Sequence, residues 1–118
     1  MNIEAQDLFN SAKGFLNEIE KQNTELNKLE EELNNKMVEV RSYRAMTDKK
    51  HKEMGLPMTM IKTATEGEER MSLLILAQDE LYRKINGKKS VIKWLSNKYD
   101  LAKKVLGQIT AETNRRDL

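Results

Sequence analysis

Residues that are mostly apolar recur along this chain at alternating steps of three and four. Over the second half, Met71, Leu74, Gln78, Leu81, Ile85, Lys88, Ile92, Leu95, Tyr99, Ala102, Leu106 and Ile109 keep that spacing. Such a row is the a/d seam of a coiled coil, one narrow stripe meant for a partner helix. The first half carries a matching row through Ala5, Leu8, Ala12, Phe15, Ile19, Gln22, Leu26, Leu29, Leu33, Lys36, Val40 and Tyr43. Its length predicts a helix over about residues 3–53, roughly 75 Å at 1.5 Å per residue, too thin to be stable alone.

Between the two rows stands Met54-Gly55-Leu56-Pro57. Glycine ends a helix readily and proline cannot continue its hydrogen-bond ladder, so the first helix should stop near Glu53. Residues 54–65 are expected to be the connection, with room for a short turn of helix from Met58 to Lys62. Thr65-Glu66-Gly67-Glu68 has the spacing of a capping box, which would start the second helix at about residue 66 and carry it to about 113. Asn86-Gly87 could mark a turn, but the seam crosses Gly87 without losing phase, so the pattern favours one continuous helix with a possible bend there. The expected fold class is therefore all-α, a long antiparallel helical hairpin or coiled coil, with residues 1–118 as a single domain.

Charge supports that direction of pairing. Residues 1–35 are acidic, 36–52 basic, 53–80 acidic and 81–111 basic. Folding the chain back near residue 60 lays each block along one of opposite sign, whereas a parallel pairing would need a long connection and oppose like with like. Off the seam, Val91, Trp94, Leu101 and Val105 form a second stripe that one partner helix cannot cover, and Phe9 and Leu16 also stand off the seam of the first helix. An apolar patch at the open end of the hairpin is expected to bring copies together, with Val91, Trp94, Leu95, Leu101, Val105 and Leu106 as the oligomer interface.

Composition narrows the function classes. Net charge is only +2 and there are no cysteines, which excludes thiol chemistry and disulfides and fits a reducing cytosol. No apolar run is long enough to span a membrane, and the polar N-terminus does not read as a signal peptide. His51 is the lone histidine, with no nucleophile or carboxylate at a telling spacing, and is expected to be incidental on a solvent-facing turn. Adjacent acids such as Glu30-Glu31-Glu32 splay around a helix rather than converge. No catalytic residue, metal site, cofactor or small-molecule substrate is expected, and no enzyme activity.

Basic residues are the remaining candidates. Arg41, Arg44, Lys49 and Lys50 crowd the end of the first helix, and Lys88, Lys89 and Lys93 line the second. Rows of this kind can track phosphates, and each phosphate neutralised adds salt dependence to binding. Pairing with the acidic blocks across the hairpin would use up the same side chains.

Tyr43-Arg44, the glycine-containing break, Met60-Ile61-Lys62-Thr63-Ala64-Thr65, and a long helix bearing Trp94-Leu95 and Leu106-Gly107-Gln108-Ile109 follow one another in an order that resembles the UvsY-type recombination mediators of phages, over about residues 36–113. That resemblance implies a homo-oligomeric accessory protein in the host-cell cytoplasm. Such a protein would bind single-stranded DNA, contact a recombinase or single-strand-binding protein, and assist recombinase loading. It maps DNA contact onto Arg41, Tyr43 and Arg44, and oligomerisation onto the segment from Val91 to Ile109. The long acidic N-terminal helix, Asn86-Gly87 and the near-neutral charge depart from that pattern. The other readings are a structural protein without a DNA role, such as an assembly component, adaptor or chaperone, and an inhibitor that docks a host factor through the hairpin tip.

Overall fold

The computed structural model describes residues 3 to 117, with side chains through Arg115. Three helices follow in order, α1 (Ile3–Glu53), α2 (Met58–Glu66) and α3 (Glu69–Asp117), and the described residues contain no strand. The all-α helical hairpin read from the two seams is what forms. Among the described residues no helix is long and apolar enough to cross a membrane. Every seam residue of both rows is buried or half-buried, while most of the positions between them are exposed.

α1 ends through glycine chemistry. Gly55 has φ +85°, which side-chain-bearing residues rarely adopt, so its N–H reaches the Lys52 carbonyl at 3.0 Å and the Leu56 N–H reaches that of His51 at 3.2 Å. These are the two bonds of a Schellman stop. Pro57 then precedes α2, which is longer than the turn expected there: it runs to Glu66 and closes on Gly67, whose N–H bonds the Thr63 carbonyl at 3.0 Å. α3 begins at Glu69 rather than 66, extends beyond 113, and passes through Asn86-Gly87 as unbroken helix.

The capping box is not used. Thr65 lies inside α2, where its backbone is already helical, so its hydroxyl turns inward and the residue is fully buried. The chain divides into two compact units: unit 1 is the chain up to Leu26 with that from Gly87 onward, and unit 2 is Asn27–Asn86.

In unit 2, α1 and α3 pair antiparallel and α2 packs with them. Val40, Met71 and Leu74 form the buried cluster, flanked by Tyr43 and Ile75. Arg70 lies 5.6 Å over the Tyr43 ring, and the Tyr82 hydroxyl contacts the Met37 sulfur at 3.6 Å. In unit 1, the pairing is again antiparallel: Lys88 of α3 donates to Gln22 at 2.9 Å and to the Glu25 carboxylate on α1. The core of this unit is slimmer, with Ala5, Ala12, Leu95 and Ala102 buried.

Candidate binding surfaces

In unit 1 the positions beside the seam fall into two sets. Phe9, Lys13 and Leu16 each follow a seam residue by one place, as does Lys103, and these four line an apolar groove of about 300 Å³ with Ala12, Tyr99 and Leu106. An α-helix advances about 100° per residue. Two antiparallel helices that face each other therefore turn the residue after each seam position to the same side, and the residue before it to the other.

Val91, Trp94, Leu101 and Val105 each precede a seam residue and stand on the flank opposite the groove. The single apolar patch expected from Phe9, Leu16 and this stripe is thus two surfaces. Trp94 and Leu101 are 56% and 58% exposed, and Lys98 sits 5.5 Å over the Trp94 ring. Leu95, expected at an oligomer interface, is instead buried against α1 because it is a seam residue, so it is closed to another subunit. Leu106 is half-buried at the groove floor and Val105 half-buried on the stripe.

The charges divide with the flanks. After-seam positions of unit 1 carry Lys13, Lys89, Lys93 and Lys103 against Glu20 and Asp100; before-seam positions carry Glu4, Asp7, Glu18 and Glu25 against Lys21 and Lys98. One flank is basic with a groove, the other acidic with an apolar ridge.

The seven basic residues singled out from the sequence separate into two classes. Arg44 meets Glu66 at 3.3 Å and Lys88 bonds Gln22 and Glu25, so each ties its helix to another element, and each realises one of the block pairings expected from charge. Arg41, Lys49, Lys50, Lys89 and Lys93 are exposed, and among the described residues none has a carboxylate within ion-pair distance. Lys49 borders a shallow cavity in unit 2 with Lys52, Lys62, Asp48, Met58 and Ile61, so α2 adds a lysine to the basic end of α1. Lys62 was not singled out from the sequence because it stands alone, with no other basic residue between Lys52 and Arg70.

His51 corrects the expectation of an incidental surface residue. It is buried, with Nδ1 3.1 Å from the Thr65 hydroxyl and Nε2 3.3 Å from Glu68. The Thr65 hydroxyl donates to Asp48, so its lone pair receives the His51 Nδ1–H. This chain of Asp48, Thr65, His51 and Glu68 links α1 to α2 and to the start of α3. Full burial keeps the Thr65 hydroxyl from any substrate atom, and its proton is already given to Asp48, so the arrangement acts as a tie. The available signal was the spacing, because Tyr43, Thr47 and His51 continue the seam in steps of four and both Thr47 and His51 are buried.

No family model, no curated protein and no solved structure matches the chain.

Proposed function

We propose that this chain is a non-enzymatic, self-associating helical protein that holds single-stranded nucleic acid along its basic flanks, acting as an accessory that brings strand and protein partner together. The observation that carries this reading is the state of the lysines and arginines. If they served only to pair with the acidic blocks across the hairpin, they would be consumed by those pairs. Arg44 and Lys88 are so used, while Arg41, Lys49, Lys50, Lys89 and Lys93 are exposed without a carboxylate partner among the described residues. Unpaired cations in rows are suited to a phosphate backbone.

Association supplies the strength that few lysines per chain cannot. Several weak basic flanks on one assembly raise the effective concentration of strand for each other. The resemblance to recombination mediators makes a recombinase or single-strand-binding protein the expected partner. Binding of a labelled single-stranded oligonucleotide across a salt series tests the reading. Log affinity should fall with log salt by about 0.7 per phosphate neutralised. Lys89→Gln with Lys93→Gln should flatten the slope while oligomer mass stays constant. No binding at low salt, or a slope of zero, would leave the alternative of a structural assembly protein with no nucleic-acid role.

A further inference from the structure

We infer that copies of this chain join head to tail, the Val91–Trp94–Leu101–Val105 ridge of one unit 1 seating in the Phe9–Leu16–Tyr99–Leu106 groove of the next. This rests on the self-association reading above and specifies its geometry. Both surfaces are apolar and exposed: Phe9 and Trp94 are 48% and 56% accessible, and large exposed apolar side chains at regular helical spacing call for a cover.

Charge selects the cover. A contact between two grooves would bring Lys13 and Lys103 of one copy against the same lysines of the other. A contact between two ridges would bring the net-acidic flank of one copy, with Glu4, Asp7, Glu18 and Glu25 against Lys21 and Lys98, onto the same net-acidic flank of the other. Seating ridge in groove places the acidic flank of one copy against Lys13 and Lys103 at the groove of its neighbour, so both apolar surfaces are buried with opposite charges at the rim. A second copy is thus the partner whose chemistry fits both faces at once. Because each copy offers one ridge and one groove on opposite flanks, the contact is heterologous. It closes into a ring or propagates as a filament. Lys89 and Lys93 lie on the basic flank outside the groove lining and stay available to phosphate.

Single-face variants of the full chain test this. Leu16→Lys places a charge in the groove and Leu101→Lys places one on the ridge, both at exposed positions off the seam, so helicity by circular dichroism should be unchanged. Light scattering should show assemblies larger than a dimer for the wild type, of fixed mass for a ring or growing with concentration for a filament, and monomers for each variant alone. An equimolar mixture should give dimers and nothing larger, since one intact ridge and one intact groove remain. Where either lysine disturbs folding, Phe9→Ala and Trp94→Ala probe the same two faces by loss of bulk, with at least a tenfold rise in the concentration needed for assembly. Either lysine variant still assembling alone would show a symmetric contact and overturn the head-to-tail arrangement, as would a mixture that stays monomeric. A monomeric wild type would instead remove the self-association reading itself.

Discussion

The two units use the same kind of seam and reach different degrees of completion. Unit 2 contains the two fully buried side chains, Met71 and Thr65, together with Leu33, Val40, Thr47, His51, Leu74 and Ile85 in buried positions. α2 gives it a third element, so residues that two helices would leave wet are covered. Unit 1 has α1 and α3 alone, and among its described residues three of the four buried apolar ones are alanines. Small seam residues bury little surface, and the larger side chains of this unit sit on the flanks, where no third element of the unit covers them. A two-helix layer hides one stripe per helix; apolar side chains beyond that stripe stay exposed, on the flanks of unit 1 and, away from α2, at Val38, Leu73 and Leu76 of unit 2.

Substitutions that act on one unit break or sharpen this contrast. The largest expected effect is Met71→Ala in unit 2, which removes a fully buried side chain and should cost about 2–5 kcal/mol of stability in urea unfolding. A loss under 1 kcal/mol would mean that unit 2 is packed no better than unit 1. Next is Thr65→Val, nearly equal in shape but without the hydroxyl that joins Asp48 and His51. Leaving the buried His51 N–H without its acceptor should cost about 1–3 kcal/mol, read by the same unfolding and by faster amide exchange in α2 than in the remainder of unit 2. The smallest is Lys88→Gln in unit 1, which removes a half-buried ion pair with Glu25 and should cost about 0.2–1 kcal/mol, less in high salt. An effect of Lys88→Gln larger than that of Thr65→Val would reverse the contrast, making polar ties the mainstay of unit 1.

Both seams and the glycine stop could be read from residue spacing, because a helix repeats every 3.6 residues and local periodicity survives without knowledge of the partner. Gly55 and Pro57 were equally legible, since φ limits and a missing N–H are properties of single residues. The beginning of α3 was not. Thr65 and Glu68 have the spacing of a cap, but whether the threonine caps or lies within α2 depends on Asp48 and His51 being close enough to take its hydroxyl. His51 was misjudged for a related reason: a polar residue at a seam position stays dry only where α2 and Glu68 come back to meet it.

The candidate surfaces show the same division. Exposed lysines and a second apolar stripe could be named from the chain, but their grouping could not be read from one helix at a time. Phe9 and Leu16 follow their seam residues, whereas Val91, Trp94, Leu101 and Val105 precede theirs, and only the antiparallel pairing turns that difference into two opposite flanks. Leu95 changed from interface candidate to buried core on the same ground. It stands on the seam, and the seam is occupied by α1.

By itself the sequence determined the two long helices, the stop between them and the pairing of charge blocks, because periodicity, glycine and proline stereochemistry and the sign of local charge are properties of short stretches. Tertiary structure alone decided which cations are spent on the fold and which stay free, that His51 and Thr65 form a buried tie, and that the apolar surplus of unit 1 divides into a ridge and a groove. Each of these depends on which side chains from distant parts of the chain come within a few ångströms, and that distance is set by packing.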